Sequence, residues 1–310
     1  MTTTTTARPS LDPTTLDLAR GQAGALTTRQ LLEAGHSEGA LLELVAGGAL
    51  AHPGRGLYLV PSLVGSQPLD RLRALAVGSF LLYPDAVLGG ETALAAHGVT
   101  VWGSPMTRPT LFRPVRRAGG MAAVWVRPAR GTAVDTPWGP ATPVADALAQ
   151  HAVDHGLTPG VVSADMALHT SAVTTAEVRA AVGVVSGHRH GSRAVAMLQH
   201  LDGARESVGE SRTALAMALG GLDAEAQVVI HDTAGRFVAR ADFRVRGTKV
   251  LVEFDGRVKY ASGDPAVLWE EKKREDRLRR LGYVVVRVTW ADLERPGAVA
   301  AAVWRAVRGR

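Results

Sequence analysis

Lys249-Val-Leu-Val-Glu-Phe-Asp255 is the stretch on which the fold of the last third of the chain turns. Val250, Leu251, Val252 and Phe254 place apolar side chains on both faces of a strand, so the segment reads as buried on both sides. Glu253 and Asp255 are two residues apart and therefore emerge on one face. Just upstream, Arg240-Ala-Asp-Phe243 lies on a strand that returns through the turn Arg246-Gly-Thr248. Antiparallel pairing through that turn sets residues whose numbers sum to about 494 opposite each other, which brings Asp242 beside Glu253 at one sheet edge.

The surrounding pattern alternates clearly. It predicts a helix over Gly209–Leu219, strands over Glu225–Ile230, Phe237–Val245 and Lys249–Asp255, and a long charged helix over Pro265–Leu281. A strand over Tyr283–Thr289 and a closing helix over Gly297–Val307 complete an α/β sandwich. Carboxylates on a buried strand need a strong compensating partner, and a divalent cation supplies one. Clustered carboxylates hold Mg²⁺ through oxygen and leave water ligands in place. Such an ion lowers the pKa of bound water and neutralises charge on a phosphodiester under attack. Asp242, Glu253 and Asp255 are the candidate ligands, and Glu210 at the start of the preceding helix could add a contact. Lys259 is the first candidate for an ammonium that stabilises developing negative charge.

Charge points to the same region. The chain has 310 residues, 46% hydrophobic and 21% charged, with a net charge of +6. Residues 1–210 balance at 16 Arg against 16 acids, whereas residues 211–310 hold 19 Lys and Arg against 13 acids. The whole excess, and all four lysines, sit in the final hundred residues, which suggests a polyanionic partner, DNA first. The length implies about two or three domains, and a mean hydropathy of +0.06 excludes global disorder. No apolar stretch approaches the roughly 20 residues that span a bilayer. Zero cysteines exclude a disulfide framework and any thiolate metal site. Met1-Thr-Thr-Thr-Thr-Thr6 has neither a basic nor an apolar leader region, so a cytoplasmic protein is expected.

The front of the chain reads differently. Residues 1–10 form a Thr-rich tail, and a compact unit is expected over 11–60. Thr27 or Thr28 caps a short helix, Arg29–Ala34, and Ser37 caps the next, Glu38–Ala46, with Leu41, Leu42 and Val45 at core spacing. A hairpin turning at His52-Pro-Gly-Arg-Gly56 follows, and two helices at turn distance before a hairpin describe a winged helix. Residues 69–203 read as a mainly helical middle region without identifiable chemistry, although short strands are expected near Thr110–Arg113 and Ala123–Arg127. The expected fold is therefore mixed α+β: winged helix, mainly helical middle, and C-terminal α/β sandwich over 205–310.

Two resemblances attach to these residues. Asp242, Val252-Glu-Phe-Asp-Gly256, Arg257-Val-Lys-Tyr260, Lys273-Arg-Glu-Asp-Arg-Leu278 and Leu281-Gly-Tyr-Val-Val-Val-Arg287 together resemble the Vsr-like domains of unknown function within the PD-(D/E)XK endonuclease-like superfamily. Leu26-Thr-Thr-Arg-Gln-Leu-Leu and Gly56-Leu-Tyr-Leu59 resemble the N-terminal winged helix of AbiEi-type antitoxins, a shorter and less specific match. The first resemblance implies a restriction-endonuclease-like sandwich with Asp242 and Glu253 holding Mg²⁺ or Mn²⁺. The second implies a DNA-binding antitoxin or regulator, with a toxin or defence-system protein as partner. Asp255 departs from the nuclease pattern, because a (D/E)xK strand carries lysine in that slot. Either Asp255 is a third ligand, or Lys259 or Lys272 stands in, or the domain is an inactive nuclease fold that binds nucleic acid.

Arg257, Lys272, Arg277 and Arg280, with Arg55 on the wing, are the candidate nucleic-acid contacts. Most charges on the long helix read as a solvated face with pairs such as Glu270–Arg274 and Asp276–Arg280. Arg287, on an expected core strand, is expected to pair with a site carboxylate. The helix Glu38–Ala46 carries two Glu and no cation, which argues against strong DNA reading by that helix alone. His151 and His155 are four apart on one helix, but lack the Glu of HExxH and an evident third ligand. No Walker A, GxGxxG or GxSxG motif points to an NTPase, a dinucleotide enzyme or a serine hydrolase.

Overall fold

Asp12 starts the first element by accepting a hydrogen bond from the Thr15 N–H, and Pro13 takes the first helical position of α1 (Pro13–Gly21). This computed structural model describes residues 10–121, 123–129, 131–256 and 265–309 and, of 265–268 and 271, the backbone alone. It divides into two compact units, one up to His151 and one from Ala152 onward.

In the first unit, α1 leads into β1 (Ala25–Thr27), α2 (Thr28–Glu33), α3 (Glu38–Ala46), β2 (Ala51–Gly54) and β3 (Leu57–Leu59). Thr27 and Gln30 cap α2 reciprocally, and Ser37 caps α3. The three strands form an antiparallel sheet in the order β1-β3-β2, which completes the winged-helix pattern expected over 11–60. Leu11, Leu26, Leu31, Leu41, Leu44 and Leu50 build its core. Leu42, expected inside from its spacing, is 73% exposed. The buried face of α3 runs through Leu41 and Leu44, three residues apart, and turns Leu42 to solvent.

Beyond the wing come α4 (Pro68–Leu82), β4 (Val87–Leu88), α5 (Gly90–Ala96), β5 (Thr110–Arg113), β6 (Gly119–Gly120), β7 (Trp125–Pro128), β8 (Val134–Thr136), β9 (Gly139–Ala141) and α6 (Val144–His155). The six strands form one sheet in the order β6-β7-β5-β4-β9-β8. The middle region, 69–203, is mainly helical as expected, and this sheet of short strands is added to its helices. Its strands are two to four residues long, too short for a period-two pattern to show in the sequence.

The second unit holds α7 (Leu157–His169), α8 (Thr175–Val185), α9 (Gly191–Met197), α10 (Val208–Leu219), β10 (Ala224–His231), β11 (Phe237–Val245), β12 (Val250–Asp255), α11 (Pro265–Arg280), β13 (Val284–Thr289), α12 (Trp290–Leu293) and α13 (Ala298–Val307). The four strands lie in the order β10-β11-β12-β13, with β12 and β13 parallel. Phe243, Val250, Val252 and Val288 pack one face against α10 and α13. Leu251 and Ala241 pack the other face against Leu278 of α11. Helices therefore cover both faces, as the alternation predicts.

One buried ion pair fixes the way into α10. Asp165 of α7, fully buried, accepts from Arg205 Nη1 at 2.7 Å and from the Asp202 N–H at 2.8 Å. The Arg205 guanidinium also donates to the His200 carbonyl at 2.7 Å. The loop carrying Ser207, the cap of α10, is held from both sides of that arginine.

Candidate functional site: an acid cluster on the C-terminal sheet

Strands β11 and β12 pair with Phe243 opposite Val252 and Arg244 opposite Leu251. Opposed numbers therefore sum to 495, one more than the turn suggested. Asp242 is held in place by the Phe254 N–H, which donates to its Oδ2 at 2.8 Å. Glu253, in register with Arg287 of β13, is half-buried and bonded to Arg274 of α11.

Glu210 completes the group from the opposite element. It stands in the first turn of α10, 8% exposed, and receives Ser207 Oγ at 2.7 Å, the Glu206 N–H at 3.0 Å and Gln227 Nε2 at 2.9 Å. Donors to the charged form make a buried carboxylate tolerable. Close approach of α10 to the sheet depends on Gly209, because a Cβ there would fall inside the ring of Phe254.

Electrostatics tie these acids together. The Asp242 carboxyl is pushed up to about 6, first by burial and then by the like charges of Glu210 and Glu253. The Phe254 N–H and Arg240 act in the opposite sense without cancelling the rise. Arg240 itself pairs with Glu206 at 3.0 Å. The three carboxylates offer oxygen donors only, the type a hard divalent cation takes, but among the described residues they do not form a group whose ligand atoms all lie within 4.8 Å of one another.

Several expected site residues fall elsewhere. Asp255 lies at the exposed end of β12, in register with Thr289. Arg257 and Lys259 lie outside the described residues. Lys272, Arg277 and Arg280 are exposed on α11. The expected pairs on that helix are rearranged: Glu270 meets Lys273, Arg279 meets Glu275 and Asp276, and Arg274 reaches the sheet to meet Glu253. Pairs at three-residue spacing, one at four-residue spacing and one tertiary contact stand where two i,i+4 pairs were expected. Arg287 is 45% exposed and bonds Glu275 at 3.4 Å, so it is no buried guanidinium. Arg55 is exposed at the wing turn, beside a stacked His52–Tyr58 pair with ring centroids 4.6 Å apart.

Gln227 and Arg274 are not foreseeable from sequence pattern. Gln227 sits within β10 at a φ of +53°, a left-handed conformation rare outside glycine. Ala226 packs with the α10/α13 core and Val228 with the α11 core, so the strand changes faces at this residue. Its Oε1 is buried with no hydrogen-bond partner among the described residues. Nothing in Ala226-Gln-Val-Val signals this. Arg274 could have been found only by projecting α11 onto the sheet.

The front of the molecule has a winged-helix-like architecture. Residues 14–61 match the model of a family described as transcriptional regulator, AbiEi antitoxin. No curated protein matches the chain. Among the described residues, no helix is long and apolar enough to cross a membrane.

Proposed function

We propose that this chain acts on DNA as a metal-dependent endonuclease, with the C-terminal acid cluster as its hydrolytic site and the winged helix as a DNA-directed module. The observation that carries the reading is Asp242, whose carboxyl is pushed up to about 6 first by burial and then by the like charges of Glu210 and Glu253. Mutually repelling carboxylates at a sheet edge are disfavoured unless something positive is meant to join them. Asp242, Glu253 and Glu210 would hold Mg²⁺ or Mn²⁺, which would supply charge neutralisation on a phosphodiester and acidify a water.

The protein's own groups do the positioning. The Phe254 N–H orients Asp242, while Ser207, the Glu206 N–H and Gln227 orient Glu210. Arg274 pairs with Glu253 and places a cation beside the acids, where the (D/E)xK pattern puts its lysine on the strand. Asp255 and Lys259 retain the roles the resemblance gives them, ligand or water-positioner and electrostatic catalyst. Arg257, Lys272, Arg277 and Arg280 would contact phosphates.

Plasmid nicking with Mg²⁺ or Mn²⁺ tests this. Wild type is expected to nick, and Asp242→Ala and Glu253→Ala to abolish nicking while still folding. Absence of cutting on varied DNA substrates, or equal cutting by the variants, overturns the proposal.

A second reading is favoured by the family match over residues 14–61: a non-catalytic DNA-binding regulator or antitoxin whose C-terminal domain is a basic platform, partnered by a toxin or defence-system protein. In that case the protein binds DNA without metal-dependent cleavage. Asp242→Ala then leaves binding intact.

A further inference from the structure

Residues 1–210 balance in charge overall but not locally. Between Glu91 and Asp135 the chain carries six arginines and no acid. This segment supplies β5, β6 and β7, which lie side by side at one end of the six-stranded sheet. A solvated face intersperses carboxylates among its cations, as α11 does. Here Asp85 meets Arg113 at 2.8 and 3.1 Å, and among the described residues no carboxylate pairs with Arg108, Arg116 or Arg117.

The cations alternate with aromatic rings. The Arg113 guanidinium lies over Tyr83, 4.3 Å from the ring centroid. The Tyr83 hydroxyl donates to Met121 Sδ at 3.5 Å, and the Met121 carbonyl accepts from Arg108 Nη1 at 3.3 Å. Arg108 in turn lies over Trp125, 4.7 Å from its centroid. Trp125 is 43% exposed and Met121 42%. Gly120, paired with Trp125 between β6 and β7, lets the indole lie against its backbone, since a Cβ there would come within 2.9 Å of the ring. Arg116 and Arg117 are exposed in the connection from β5 to β6.

We propose that this arginine–aromatic tract binds single-stranded nucleic acid, with its guanidinium groups on phosphates and the exposed Trp125 on the face of an unpaired base. A guanidinium already held over a ring is pre-oriented and loses little freedom when it takes a phosphate. In a duplex the base faces are covered by their neighbours, whereas every unpaired base offers one to an aromatic side chain. An acidic protein would satisfy the arginines and leave the interleaved rings without a role. The tract shares no residue with the winged helix or the acid cluster and needs no metal. Its binding therefore stands or falls apart from the nuclease reading.

Full-length protein in EDTA is titrated into fluorescein-labelled oligothymidylate and oligouridylate of about 20 nucleotides, longer than one such site, and read by anisotropy. The two arms separate DNA from RNA as the source of the strand, and binding in either is expected. The double variant Arg116→Ala, Arg117→Ala should keep the melting temperature of wild type and flatten log K against log salt by about 0.7 for each phosphate no longer neutralised. Trp125→Ala should weaken binding at least about fivefold. It should do so equally in the Lys272→Ala, Arg277→Ala, Arg280→Ala background, where strand binding by α11 cannot mask it. Absence of strand binding overturns the proposal, as does binding that neither the double variant nor Trp125→Ala changes. An equal loss on duplex DNA, or displacement by polyglutamate as effective as by unlabelled oligothymidylate, marks a general anion or acidic-protein surface and overturns it too.

Discussion

Asp242 gives up its proton late because burial strips water from its carboxylate while Glu210 and Glu253 add charge of the same sign. The folded protein holds this proton up to about 6, against an ordinary value of 3.8. Between those values the unfolded chain has released its proton and the folded one has not. Stability from this group therefore falls as pH rises through that window and is level above it. Asp242→Asn removes the dependence, so its urea midpoint should exceed that of wild type above pH 6 and the two should converge toward pH 4. Parallel profiles would mean that neither burial nor the neighbouring acids raise this carboxyl. Saturating Mg²⁺ should narrow the gap if the cation binds there. At this scale the sequence is legible as far as alternation allows. Asp242 and Glu253 stand out because strand periodicity and one short turn fix which residues face each other. Arg274 and Gln227 do not, since a helix's rotation over a sheet and a single left-handed residue leave no periodic trace.

Among the elements, α10 matters most to the acid cluster, because it delivers Glu210 to a sheet built from later residues. Its packing on Phe254 leaves no room for a side chain at Gly209. Gly209→Ala should lift the first turn of the helix, cost about 1–3 kcal/mol by overpacking, and impair nicking through Glu210. Denaturation midpoints and the nicking assay check it, and a neutral outcome would show that the helix does not approach so closely. Local signals served the winged helix well: Thr27 and Ser37 cap α2 and α3 within the chain's own neighbourhood. They could not reveal β1, whose three residues Ala25–Thr27 are ordered only by pairing with Leu57–Leu59. The same reason hid most of the six-stranded sheet.

For the molecule as a whole, the positive charge is concentrated in residues 211–310, and the helix α3 of the winged domain has none to offer. Affinity for DNA should accordingly fall steeply with salt, and the slope should report the C-terminal unit more than the wing. The triple variant Lys272→Ala, Arg277→Ala, Arg280→Ala is expected to flatten log K against log salt by about one for each phosphate no longer neutralised. Arg55→Ala should flatten it by at most that single step. An unchanged slope in the triple variant would take α11 out of the interface. The large-scale organisation was legible where charge and alternation are strong, at the two ends of the chain, and faint between them.

The left-handed residue in β10 has a consequence for solubility as well. β10 is the outermost strand of its sheet, eight residues long, with Val229 exposed on it and Phe237 exposed on its neighbour. A long border strand without interruption would offer a row of unpaired amides and carbonyls to any other extended chain. Gln227, at a φ of +53°, interrupts the two-residue repeat in the middle of that row. An incoming strand cannot stay in register past it, so the kink that aims a glutamine at Glu210 also protects the border against runaway self-assembly.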